Sequence, residues 1–372
     1  MNETSTDPHD NPLAKGAQAR GDGQGIAVGA VPTERIEFGV MTFAETVPPG
    51  RGSVQVSCHE RLQQVLAEAR LADRAGLDIY GVGEHHRHDF AASAPAVILA
   101  AIAAHTSSIR LSSATTVLAC TDPVRVFQDF STLDLLSSGR AELIVGRGSF
   151  PEPYPLFGVD PAETDPVFGE KLDLLRQIRD HEFIEWTGRH RPPLTGQGVY
   201  PRPYQDRLPL WVAVSHNTHT ARRAAVSGLP MILGLFAEDH HLHHLCETYR
   251  DHSTAAPRIA AQLQGLLADS AGEASRTFYR AYTSARRQTH PDAPPLTPAQ
   301  FTHLCRPNGP LAVGTLDEVS AKITHLHHEF GITRFLLHIS VGYLPHDVVL
   351  RAIELWAQLA HHVRTDIEIH AK

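Results

Sequence analysis

From Ile36 onward the chain alternates between two hydrophobic periods. Short runs dense in β-branched and apolar residues read as buried strands. The segments between them repeat apolar positions at three- and four-residue intervals, the spacing of one helix face. The strand-like runs fall at 36–43, 77–83, 109–118, 141–146, 208–214, 231–235, 258–268 and 333–339. Leu62, Val65, Leu66, Ala69 and Ala72 mark the first helix, which Gly76 closes. Residues 95–105 form an Ala-rich helix, and Pro123 opens a third with Phe127, Phe130 and Leu133 on one face. Further stripes run through Phe168, Leu172, Leu175 and Ile178, through 219–227, through Val319, Ile323, Leu326 and Phe330, and through Leu350, Ile353, Trp356, Leu359 and Val363.

Eight strands interleaved with helices predict an α/β fold, a parallel (β/α)8 barrel of the TIM type with insertions. An open doubly wound sheet is the alternative, but no dinucleotide glycine fingerprint follows the first strand. The insertions are a Pro-rich stretch at 151–166, an excursion at 182–207, and a Pro-rich loop at 287–310, whose length and position suggest an active-site cover. Residues 1–34 are rich in Gly, Asn, Asp and Thr, too polar to offset their ordering entropy, and are expected to be a disordered tail ahead of one domain over 35–372.

Composition narrows the function. With 372 residues and 42% apolar side chains the chain can build one large core. A net charge of -8 argues against a nucleic-acid partner, since phosphate backbones are met by clustered Lys and Arg. No apolar run approaches the roughly 20 residues that span a bilayer, and the first residues lack the apolar core expected of a secretory leader. Cys58, Cys120, Cys246 and Cys305 form no Cys-x-x-Cys pair and read as reduced thiols, which suits a soluble cytoplasmic protein.

Barrel enzymes carry their chemistry at the carboxyl ends of the strands. Three polar clusters fall there: Gly83-Glu84-His85-His86, Gly146-Arg147-Gly148, and Ser215-His216-Asn217-Thr218-His219-Thr220. Arg147 between two glycines can fork onto a phosphate, or pair with a loop carboxylate. Asn217 to Thr220 can be a plain helix cap or, through the helix dipole, an anion site. His85 and His86 suit proton transfer, core packing or a metal; neighbours on a strand face opposite ways, which disfavours joint chelation. The pairs His240-His241 and His243-His244 and the group His325, His327 and His328 look like metal tracts, but they lie in helices or loops without a convergent carboxylate partner and read as solvated helix faces.

These clusters, in order and spacing, resemble the luciferase-like flavin monooxygenases. The resemblance rests on Glu84-His85-His86, Thr115-Thr116-Val117-Leu118, Asp122-Pro123-Val124-Arg125, the run from Leu133 to Arg140, and Gly146-Arg147-Gly148. A second block runs from Leu210 to Leu233, and a third holds Val313-Gly314-Thr315 with Glu318-Val319. It implies a homodimeric barrel enzyme, a monooxygenase that uses reduced FMN and O2 on a small organic substrate, with a separate flavin reductase supplying the reduced cofactor. An F420-dependent oxidoreductase and a non-catalytic flavin-binding protein are the alternatives within the same fold. It further implies that Arg147, Asn217 and Thr220 hold the flavin phosphate and that His85 moves a proton, with His86 in support. A cis peptide at Ala114-Thr115 would lie beneath the ring. No metal is implied. His216 stands where luciferase has a glutamate, and Gly146 where it has its reactive cysteine, so light emission does not follow.

Overall fold

A computed structural model describes residues 35–47, 56–234, 239–290 and 292–370. The 1–34 segment and Leu235 lie outside the described residues. Eight parallel strands close a barrel: β1 (Glu37–Thr42), β2 (Ile79–Val82), β3 (Arg110–Ser113), β4 (Ala141–Gly146), β5 (Leu210–Val214), β6 (Met231–Gly234), β7 (Ile259–Leu267) and β8 (Ile332–His338). Each pairs with the next, and β8 pairs with β1, with Met41 opposite His338. The (β/α)8 reading therefore holds, and the open-sheet alternative falls.

The helices start where local chemistry places them. In α1 (Cys58–Arg74), Ser57 and Glu60 exchange a capping box. The helix α2 spans Pro95–Ala103, and α3 (Pro123–Leu136) begins at Asp122, whose side chain takes the Val124 N–H. Then come α4 (Thr164–Asp180), α5 (Thr218–Val226), α6 (Asp239–His252), α7 (Ala271–Thr289), α8 (Leu316–Phe330) and α9 (His346–His370). Gly331 ends α8 in the left-handed region, φ 59°, where a side chain would be strained.

Strand alternation sorts the core into two layers. Met41, Ile79, Ala114, Ile144, Trp211, Ile232, Ala260 and Leu336 fill the barrel, while a larger cluster packs the strands against the helices. At the amino end of the strands, Arg334 is buried between Glu37 and Glu142 and lies 4.0 Å from the Trp211 ring centroid. Both carboxylates and the ring satisfy it, so this end is a closed plug and the opposite end is left for a site.

The Ala114-Thr115 peptide is cis, as the resemblance implied. Other details differ from the sequence reading. The third strand breaks after Ser113, and Thr116–Val117 then pairs separately with β4. The 182–207 excursion contains an antiparallel hairpin, Phe183–Trp186 with Leu194–Gly198. The 151–166 insertion holds a short helix, Pro153–Leu156. The described part of the 287–310 segment is not wholly irregular, for it holds the end of α7 and a further short helix. Its helix Pro298–Leu304 is capped by Thr297 and Gln300 and anchored by buried Phe301 against Tyr279, with ring centroids 5.2 Å apart. After it, Leu311–Gly314 adds a ninth parallel strand beside β7, which the sequence reading missed.

Candidate active site

Because β2, β3, β4 and β5 are consecutive neighbours, the segments leaving their carboxyl ends lie side by side. Those segments carry His85 and His86, Ala114 and Thr115, Arg147, and Asn217 with Thr220. One face of the barrel thus gathers every residue the sequence singled out for the site.

His85 is buried. Its backbone N–H donates to the Ala92 carbonyl at 2.8 Å, and its ring stacks on Phe90 at 4.2 Å, with Phe43 and Phe150 edge-on at 4.3 and 4.7 Å. Burial pushes the imidazole down to about 3, and the nearby Glu45 carboxylate only partly opposes this. His85 is therefore neutral across the physiological range. His86 turns the other way: its Nε2 lies 2.8 Å from Glu84 Oε1, and its ring meets Phe157 at 5.1 Å. Burial raises Glu84 above the ordinary carboxyl range, although His86 and the Val117 N–H pull it down. The two adjacent histidines, both in the loop that leaves β2, occupy different surroundings. Among the described residues, no three His, Cys, Asp or Glu side chains converge as a metal set would.

Arg147 is half-buried and makes no hydrogen bond or ion pair among the described residues. It emerges between small residues. A Cβ on Gly146 would meet Thr115 Oγ1 at 3.3 Å and Ala213 at 3.5 Å. Gly148 sits at φ +101°, and a Cβ there would press Val117 at 2.8 Å. Tyr154 Oη donates to the Gly148 carbonyl at 3.1 Å and holds this turn. On the next strand, Asn217 caps α5, its side chain accepting the His219 N–H at 2.8 Å. Thr220 is buried one turn in, its N–H donating to the Asn217 carbonyl at 3.1 Å. Asp165 lies beside the same helix start, 3.2 Å from His219 Nδ1.

The histidine groups elsewhere need correction. His327 is buried, with Nδ1 2.8 Å from the Ile332 carbonyl, because its turn of α8 faces the barrel. His243 does have a carboxylate partner, Glu329, at 3.3 Å. Sequence reasoning also missed the far side of the mouth. There, His338 Nε2 lies 2.5 Å from Glu45 Oε1, and Ser340 Oγ donates to Glu45 Oε2 at 2.7 Å. The available signal was on β8 alone, where His338, its last residue, shares the inward parity of Leu336.

Arg147 and the N-terminus of α5 thus stand on adjoining strands at the carboxyl end of a closed barrel. The chain belongs to the luciferase-like monooxygenase family, whose model matches residues 36–334. It is 31% identical over 180 residues to the N-acetyl-S-alkylcysteine monooxygenase of Bacillus subtilis (strain 168), covering 48% of this chain and 52% of that protein. The chain spans about half the length of the curated relatives it matches first. Among solved structures, the monooxygenase RslO1 from Streptomyces bottropensis aligns at 25% identity and TM-score 0.77, covering 88% of this chain and all of that one, 100%. Two more distant structures share the fold. The oxygenating constituent of 3,6-diketocamphane monooxygenase from Pseudomonas putida, in complex with FMN, aligns at 18% identity and TM-score 0.71, covering 88% and 98% of the two chains. An F420-dependent secondary alcohol dehydrogenase with an F420-acetone adduct aligns at 17% and 0.68, covering 88% and 99%. Flavin and deazaflavin thus both occur among proteins of this fold. Among the described residues, no helix is long and apolar enough to cross a membrane.

Proposed function

We propose that the protein is a flavin-dependent monooxygenase that takes reduced FMN and O2 to oxygenate a small organic substrate. The observation that carries the reading is Arg147: a half-buried guanidinium with no anionic partner among the described residues, beside the capped start of α5. A guanidinium removed from water without a carboxylate is costly, and a phosphate ligand would satisfy it. The half-buried Arg147 guanidinium and the N-terminus of α5 are the donor set a flavin phosphate takes, so the residues fit the group.

In this reading Arg147 and the first turn of α5, Asn217 to Thr220, hold the phosphate. The bound flavin supplies the redox chemistry with O2. His85, neutral and walled by Phe43, Phe90 and Phe150, holds a proton at a ring nitrogen or passes it on, and an anion brought beside it raises its proton affinity. The aromatic wall keeps water from that nitrogen. His86 and Glu84 brace the loop that carries it. A separate reductase delivers the reduced flavin, because no dinucleotide fingerprint follows any strand of the barrel.

Titration with FMN tests the reading. Arg147→Ala should weaken flavin binding about tenfold to hundredfold, the scale of a charge-assisted contact of ~1.5–3 kcal/mol. An unchanged affinity would remove Arg147 from the site. The absorbance of the cofactor that copurifies separates FMN from F420.

A further inference from the structure

The strands opposite Arg147 carry polar groups that neither the phosphate site nor His85 uses. On β7, Ala260 faces the barrel interior while Ala261 and Leu263 pack outward against helices. By alternation Gln262 and Gln264 face inward, above Ala260 and toward the mouth. Both are half-buried, and neither carboxamide makes a hydrogen bond among the described residues. Gln264 is paired in register with His338 on β8, so the two side chains are neighbours on one inner face.

His338 is the second observation. It is 2% exposed, and its Nδ1 has no hydrogen-bond partner. Its Nε2 faces Glu45, which accepts from three groups: His338, Ser340 at 2.7 Å and Thr42 at 3.3 Å. Burial would raise the Glu45 carboxyl, but His338 and Ser340 hold it below its ordinary value, so Nε2 is the donor to Oε1. Nδ1 is then the ring atom left without a hydrogen-bond partner among the described residues. Among the described residues, the upper inner face of β7, β8 and β1 is then Gln262, Gln264, His338, Met41 and Phe43, with the Glu45 carboxylate just behind and no lysine or arginine.

We infer that this face is the substrate subsite and that it takes a neutral molecule bearing a carboxamide or hydroxyl group. The Gln262 and Gln264 carboxamides pair with the ligand's acceptor and donor, and a polar group of the ligand gives His338 Nδ1 the hydrogen-bond partner it lacks among the described residues. An anionic group is disfavoured, because Glu45 repels it and, among the described residues of this face, no lysine or arginine answers it. A plain hydrocarbon is disfavoured, because it leaves both carboxamides and Nδ1 unpaired in a partly dry site. The inference rests on the proposal that the barrel mouth is an oxygenation site.

The test uses three small probes of similar shape, benzamide, benzoate and cumene, on the full-length protein with and without FMN, followed by ligand-observed NMR. Benzamide should bind about threefold to tenfold tighter than either of the others, the range of one neutral hydrogen bond. Gln262→Leu with Gln264→Leu should remove that preference while leaving cumene and FMN affinity unchanged. His338→Phe, which keeps an aromatic ring and deletes Nδ1, should lower benzamide affinity by a similar factor. Benzoate or cumene binding as tightly as benzamide to the unaltered protein would overturn the inference without any variant. Undiminished benzamide affinity in the double variant would do the same. Because the probes need no turnover, failure of FMN to bind would sink the monooxygenase reading separately, leaving the probe preference to stand or fall by itself.

Discussion

Glu84 and His86 form a closed pair at the end of β2, with His86 Nε2 2.8 Å from Glu84 Oε1. The other carboxylate oxygen, Oε2, accepts the Val117 N–H at 2.9 Å, and the Glu84 N–H donates to the Thr115 carbonyl at 3.0 Å. This pair therefore clamps the loop bearing His85 to the segment just past β3. His86→Ala removes the partner of a buried carboxyl, a loss of ~1.5–3 kcal/mol for a hydrogen bond to a charged group. Thermal unfolding should show a Tm lower by several degrees, with helix content unchanged by circular dichroism. A Tm equal to that of the parent would mean that the loop holds without the clamp.

His85 should respond differently. Its ring touches no charged partner directly, so its loss leaves aromatic packing rather than a stranded charge. His85→Ala is expected to lower turnover on the order of 10²-fold while flavin affinity moves far less. Turnover at saturating flavin, measured beside a flavin titration, separates the two. Lost flavin binding with turnover intact would reverse the assignment.

How much of this was legible in the sequence depends on how local each signal was. The barrel was, because each strand and helix announces its own period, and caps such as Asp122 before Pro123 mark starts within a few residues. Strand-end clusters exposed His85, Arg147 and Asn217 for the same reason. The Glu45–His338 pair was not, since 293 residues separate its members and each alone looks like one polar residue at a strand terminus. Helix Pro298–Leu304 was missed because a single buried side chain, Phe301, anchors it amid prolines, too little for periodicity to register. His327 was misread as solvated because its burial comes from the β8 strand that follows it, through the Ile332 carbonyl.

The outer faces of α2 and α3 bear on assembly. Val97, Leu135 and Leu136 are 70%, 45% and 66% exposed, large apolar side chains on two helices that pack together. They support the proposal that the chain forms a homodimer through this face. Leu136→Glu should shift the sedimentation coefficient from dimer toward monomer at micromolar concentration and leave the barrel folded. A parent protein that sediments as a monomer would refute the proposal outright.

The buried pair of Arg61 and Glu68 makes a prediction about acid. Arg61 Nη1 lies 2.6 Å from Glu68 Oε1 and Nη2 3.1 Å from Oε2, while Tyr80 donates to Glu68 at 3.2 Å and Arg61 reaches Thr42 at 3.2 Å. Helix α1 is thereby bolted to β1 and β2. Burial alone would raise the Glu68 carboxyl, but Arg61 and His346 outweigh it and hold the group at about 2, below its ordinary 4.5. A carboxyl with a depressed folded value binds its proton less readily folded than unfolded. Its contribution is therefore complete above the ordinary value and is lost as pH falls from about 4.5 toward about 2. Glu68→Gln leaves Arg61 charged and buried, which costs about 3–5 kcal/mol at neutral pH. Urea unfolding should show this full deficit at pH 7, with the gap between variant and parent narrowing steadily below pH 4.5. A gap of constant size down to the acid limit would mean that lost packing, and not the ion pair, accounts for the deficit.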